Sequence, residues 1–357
     1  MVVRTRWAWS RKQTLLYSIS GIACSGVFLF VLIKPHVSCF LSCAAMCRRN
    51  PNRALRNRAL LSDDGMLAER VQGDTKRPPP TQDAIFQWLD KVLPGEWGDV
   101  LDAGTGPDSL RWLASRDCRA VTAVTADADM YENVDKEVGE FLRPEQDDLL
   151  IANWALPETM QGEDFDVVIA DYLLGAVDTT AQHYQEWVLY RMRELTRPGG
   201  LLIVIGKEPT DQTASGRVPK LLRSVEALRD AAMILGGQRP YREMPEWWVR
   251  LQLDSLGLEV EHQQVFAKKF NHKKMGEQFA WAADTISTVP DKAVKEAMEK
   301  QLDRLRQQSR KDRDLQAGYL FGQDYVFVVR RPDRDAEVSF FDDPLGQCQD
   351  GKTEVAR

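Results

Sequence analysis

From residue 81 to residue 330, strand-length apolar runs alternate with segments of helical period, and that alternation limits the fold more than any other feature. A chain that repeats strand then helix buries both faces of a parallel sheet under its own helices. Residues 81–92 read as an amphipathic helix with Ile85, Trp88, Leu89 and Val92 on one side. Strands are predicted at 99–101, 120–126, 148–152, 165–170 and 201–206. Helices are predicted at 107–115, opened by Pro107 and Asp108, and at 181–195, stopped by Pro198-Gly199-Gly200. Beyond these the pattern gives helices at 220–235 and 245–256, a strand at 258–266, a long charged helix at 274–311 and a final strand at 324–330.

The charge is unevenly spread. Residues 1–62 hold ten Lys or Arg and no acid, so of a formal total of −6 the rest of the chain carries −16. An acidic body repels phosphate backbones, which argues against a nucleic-acid substrate and for a small molecule or a protein. Of six cysteines only Cys118 and Cys348 lie in the body, too few for a disulfide framework. Cys39, Cys43 and Cys47 beside His36 read as small residues of a leader rather than as a zinc knuckle, and no metal site is expected.

Within that leader, the uncharged run 14–33 has twenty residues, enough to span the roughly 30 Å core of a bilayer. The Arg-rich, acid-free stretch 34–62 that follows resembles an organelle transit peptide. With Val37-Ser38-Cys39 before Phe40, the order resembles a bipartite plastid presequence; a retained single-pass membrane anchor is the alternative. The expected organisation is a targeting or membrane segment at 1–62, a linker with Pro78-Pro79-Pro80 at 63–80, a catalytic domain at 81–331 and a loose tail at 332–357.

Val100-Leu101-Asp102-Ala103-Gly104-Thr105-Gly106 sets two glycines between a strand and a helix. Such a turn lets the backbone approach a ligand and offers it free N–H groups. A dinucleotide fold would use the same chemistry, but its fingerprint wants Gly or Ala where this chain has Ser109. Asp127 ends the second strand, twenty-one residues past Gly106, and a carboxylate there can accept two hydrogen bonds from a diol.

The series of strand ends resembles class I S-adenosylmethionine-dependent methyltransferases in order and spacing across residues 81–330. The resemblance implies an α/β, doubly wound, seven-stranded mixed sheet, Rossmann-like, with its last strand antiparallel. It also implies S-adenosylmethionine as cofactor. Asp102-x-Gly104-x-Gly106 resembles the family's first motif, with Asp108 where a third glycine is usual. On that likeness Asp102, Ala103, Gly104, Thr105 and Gly106 hold the methionine part of the cofactor. Asp127, with Asp129 as fallback, takes the ribose. Asn153 takes the adenine amine through its carbonyl oxygen, and Trp154 covers the adenine face. Residues 165–172 resemble the fourth motif, which places Asp171 and Tyr172 beside the transferred methyl.

Transfer from a sulfonium mainly requires alignment and exclusion of water, and a base is optional. If a proton must leave, Asp171, His183 and Glu208 are the candidates near the methyl. Acceptor choice is expected in two helical insertions, 207–257 and 268–322, with Tyr172, Tyr184, Tyr241 and Trp247 lining the pocket. The expected acceptor is a small organic molecule methylated on O or N. A nicotinamide-dependent oxidoreductase and a non-catalytic cofactor-binding scaffold at a membrane are the alternatives.

Overall fold

The computed structural model describes residues 77–333. Outside them lie the 1–62 segment with its apolar run at 14–33, all but the last four residues of the 63–80 linker, and all but the first two of the 332–357 tail. Among the described residues no helix is long and apolar enough to cross a membrane.

Seven strands form one sheet: β1 (Trp97–Asp102), β2 (Cys118–Thr125), β3 (Asp148–Ile151), β4 (Phe165–Asp171), β5 (Thr196–Lys207), β6 (Glu259–Phe270) and β7 (Tyr319–Arg330). Their spatial order is β3-β2-β1-β4-β5-β7-β6. The first five are parallel, and β7 runs antiparallel to both β5 and β6. The doubly wound mixed sheet with an antiparallel last strand is therefore as expected. The chain winds outward from β1 to β3, then returns to β4 on the other side of β1. Such a reversal opens a crevice at the carboxyl ends of the two strands it separates.

Period-two alternation sorts the sheet's side chains into two layers. Val167 and Ile169 of β4, Ile203 and Ile205 of β5, and Val326 and Val328 of β7 face one way. They bury against α1 (Ala84–Val92), α2 (Pro107–Ser115) and α3 (Ala128–Val138). Val168, Ala170, Leu202, Val204, Phe327 and Val329 face the other way, against α5 (Gln185–Leu195) and α7 (Glu246–Ser255). A short α4 (Leu173–Ala176) follows β4 directly. Asp83 caps α1 by accepting from the Ile85 N–H at 2.7 Å, which fixes where the amphipathic pattern begins.

Three features differ from the sequence reading. Helix α3, capped by Asp127, is additional, because its polar sequence ADMYENVDKEV buries only Val134 and Val138 and shows a weak apolar stripe. The predicted helix 274–311 is two helices, α8 (His272–Ser287) and α9 (Lys292–Arg310), parted at Val289-Pro290-Asp291. Pro290 cannot donate into a helix, and Asp291 caps the next one by accepting from Val294 N–H at 2.9 Å. The insertions also change. Helix α7 packs on the sheet through Val249 and Leu253, so it belongs to the wound layer. The β6–β7 ladder continues through Lys269↔Leu320 and Phe270↔Tyr319, so the second excursion begins after 270 and ends before 319. What stands apart is α6 (Arg217–Leu235) with α8 and α9, which share a core of their own around Leu222, Phe279, Ala282 and Leu302.

Candidate active site

The turn after β1 is fastened on three sides. Ala103 N–H donates to Ile169 O of β4 at 2.8 Å, and Thr105 N–H to Val124 O of β2 at 2.9 Å. Trp154 Nε1 donates to Ala103 O at 2.6 Å. A side chain on Gly104 would lie 3.2 Å from both the Asp171 carbonyl oxygen and Leu173 Cβ, so only glycine passes there without displacing β4's end. Beside Gly106 the space is open to 4 Å.

Asp102 ends β1 with no exposed surface. Ser109 Oγ donates to its Oδ2 at 2.8 Å and accepts from Gly106 N–H at 3.2 Å. A hydroxyl is needed for both contacts, which explains a serine where a dinucleotide fingerprint has Gly or Ala. Burial pushes the Asp102 carboxyl up to about 6, against the opposing pull of the nearby Thr105 and Ser109 hydroxyls and the Gly104 N–H. Asp102 Oδ1, Thr105 Oγ1 and Asp171 Oδ1 are buried and have no hydrogen-bond partner among the described residues.

Asp171 ends β4 with its carboxyl held well above the usual range, first by burial and then by the charge of Asp102. The next residue, Tyr172, has φ 47°, a left-handed conformation that costs a non-glycine residue free energy. Its N–H is held by Ile205 O at 3.0 Å. Burial and the neighbouring carboxylates Asp324 and Asp171 raise its phenol. Because β7 runs antiparallel, its residue Asp324 lies at the edge where the parallel strands end, paired in register with Lys207. Lys268 Nζ of β6 sits 2.5 Å from Asp324 Oδ1 and 5.8 Å from the Tyr172 ring centre.

The remaining predicted residues divide. Asp127 is exposed at the end of β2 and uses one oxygen, Oδ1, to cap α3 through the N–H groups of Asp129 and Met130. Tyr241 is 40% exposed, packs edge-on to Trp281 at 5.6 Å, and is raised by burial and by the charge of Asp127. Asn153 Oδ1, assigned to an adenine amine, accepts from Ala155 N–H at 2.9 Å and so shapes its own loop. Trp154 is corrected from an adenine cover to a core residue: it is 3% exposed and braces the Ala103 carbonyl from behind.

Three further assignments are corrected. Glu208 accepts from Glu246 N–H at 2.9 Å, and so fastens the start of α7 instead of facing a methyl group. His183 is exposed at φ 62°, its backbone N–H is bound to Asp178 at 3.2 Å, and no contact joins its ring to the strand-end acids. Of the pocket residues, Tyr184 packs onto the core as the residue before α5, and Trp247 points to solvent at 64% exposure. Sequence reasoning passed over Asp324, which opens the apolar run of the last strand, and Lys268, which lies beyond the apolar run at 258–266, because neither closes such a run. Among the described residues no group of His, Cys, Asp or Glu is arranged to hold a metal.

The fold and site together define an open α/β protein whose adjacent β1 and β4 ends each carry a buried carboxyl oxygen with no partner among the described residues. No protein-family model matches the chain, and no curated protein does. Several solved structures are similar to it. One is a putative methyltransferase from Bacillus halodurans, 15% identical over 69% of this chain and 98% of that one, with a TM-score of 0.46. A second is a SAM-dependent methyltransferase from Geobacter sulfurreducens in complex with S-adenosyl-L-homocysteine, 12% identical over 72% and 93%, TM-score 0.42. A third is a cyclopropane synthase from Mycobacterium tuberculosis, 17% identical over 69% and 82%, TM-score 0.43. With likenesses this distant, the functional reading rests on the chain's own strand order and site.

Proposed function

We propose that this chain is an S-adenosylmethionine-dependent methyltransferase that moves a methyl group to an oxygen or nitrogen of a small organic acceptor. The observation that carries the reading is the set of partnerless buried oxygens on Asp102, Thr105 and Asp171 at the two strand ends flanking the switch point. A buried polar atom left unpaired costs about 1–3 kcal/mol, so a ligand supplying donors there is favoured. Asp102 would receive the cofactor's ammonium, and its carboxylate form gains most from that cation. Asp127 would receive the ribose hydroxyls, and the open space beside Gly106 leaves room for the chain between them. When bound, the cofactor supplies a methyl group on a sulfonium leaving group.

The protein's own task is to hold and to exclude water. The turn 103–106, fixed to three neighbours, keeps its geometry whether or not a ligand is present, which lowers the entropic cost of binding. Calorimetry on the full chain with S-adenosylmethionine, S-adenosylhomocysteine and NAD tests the reading. Binding of the first two without the third is expected. Binding of NAD alone, or of none, overturns it.

A further inference from the structure

The segment 238–245, between α6 and α7, crosses the carboxyl edge of the sheet and is pinned along its length. Arg242 N–H donates to Gly175 O at 3.1 Å, and the Arg242 guanidinium lies 3.7 Å from the buried Asp178 carboxylate. Tyr325 OH, from β7, donates to Met244 O at 2.7 Å. Glu208, at the end of β5, holds Glu246 N–H. Tyr241, at the other end, abuts Trp281 of α8. The strap therefore rests on α4 after β4, on the loop that leaves β5 and on β7.

Between these pins the Glu243 side chain is half-buried against Gly175, where any Cβ would collide with its carboxylate. Its charged surroundings are Lys207 of β5, Lys268 of β6, Asp324 of β7 and Arg229 of α6. Each of those cations is engaged elsewhere: Lys207 with Glu226 at 3.6 Å, Lys268 with Asp324, and Arg229 with Asp230 at 2.8 Å and over the Trp281 ring at 3.9 Å. Among the described residues Glu243 has no ion-pair partner, and Asp102 and Thr105, 0% and 3% exposed, also keep oxygens unpaired.

We infer that Glu243 is the acceptor-facing carboxylate of the crevice and that the acceptor presents an amine to it. The inference rests on the methyl-transfer reading and narrows its acceptor. An ammonium guest supplies the cation that the strap's carboxylate lacks, through a charge-assisted hydrogen bond. In the transfer, the bound ammonium first gives a proton to the Glu243 carboxylate, the freed nitrogen lone pair bonds to the methyl carbon as the carbon–sulfur bond breaks toward sulfur, the methylated ammonium leaves, and Glu243 returns its proton to water. Burial raises the Glu243 carboxyl against the opposing pull of Lys207 and Lys268, which suits a group that takes up a proton.

The test is calorimetry on the full chain saturated with S-adenosylhomocysteine, using matched pairs: phenethylamine and phenethyl alcohol, tryptamine and tryptophol, butylamine and butanol. An amine preference of about tenfold or more in at least one pair is expected. Glu243→Gln should abolish it while leaving S-adenosylhomocysteine affinity within about twofold, and Glu243→Asp should keep part of it. An amine preference that survives Glu243→Gln, a preference for the alcohols, or no amine binding in any pair overturns the inference. The pairs are also measured without S-adenosylhomocysteine, so failure of that ligand to bind counts against the methyl-transfer reading while the role of Glu243 is still decided.

Discussion

Asp102→Asn should stabilise the ligand-free protein at pH 8 while removing its affinity for the cofactor. Burial places the folded-state carboxyl at about 6, above its ordinary 3.8, so the neutral form is the one folding favours. The stability tied to Asp102 is complete below pH 3.8 and is lost as pH rises through about 6. At pH 8 the ionised carboxylate costs roughly 3 kcal/mol relative to the protonated group. Asparagine cannot ionise, so that cost disappears, offset by about 1 kcal/mol for weakening the hydrogen bond from Ser109. A net gain of about 2 kcal/mol corresponds to about 4–8 °C for a domain of this size. Thermal unfolding of both proteins from pH 4 to pH 8, with and without S-adenosylhomocysteine, reads each part. Wild type should gain about 2.7 kcal/mol from ligand at a hundred times Kd, and the variant should gain little. The reasoning is refuted if the variant is no more stable at pH 8, or if its advantage does not shrink as pH falls through 6.

Other consequences are more local. Asp127→Ala removes the cap of α3, costing about 1 kcal/mol, and should weaken S-adenosylhomocysteine binding about tenfold or more. Unchanged affinity in calorimetry would remove Asp127 from the cofactor site. Arg191 is buried and donates to the carbonyls of Trp154, Leu156, Pro157 and Thr159, which shape the loop after β3. Burial lowers its pKa, so part of its contribution is already offset, and Arg191→Leu should lower stability by about 2–3 kcal/mol in urea unfolding. A loss under about 1 kcal/mol would show that those carbonyls find other donors. We propose that residues 1–62 direct the protein to a plastid, and the same residues fused to a fluorescent protein should carry it there. A diffuse cytosolic signal would end both the plastid and the membrane-anchor readings.

The sequence alone determined the sheet, its winding and the positions of the acids that end its strands. Those features are local: a buried strand needs a continuous apolar run, and a tight turn between a strand and a helix favours glycine. Asp102, Asp127 and Asp171 were legible because each closes such a run. Tertiary structure alone decided what each side chain faces. Trp154 and Glu208 look like site residues in the sequence, yet one sits in the core and the other caps a helix. Asp324 and Lys268 look like ordinary strand residues, yet the β5–β7–β6 pairing brings them together at the strand ends. Glu243 reaches the crevice only because contacts from Gly175, Tyr325 and Glu208 pin its loop there. Burial and partnership depend on distant segments meeting across the sheet, such as Leu201 and Arg330, 129 residues apart, and no periodicity within one segment encodes them.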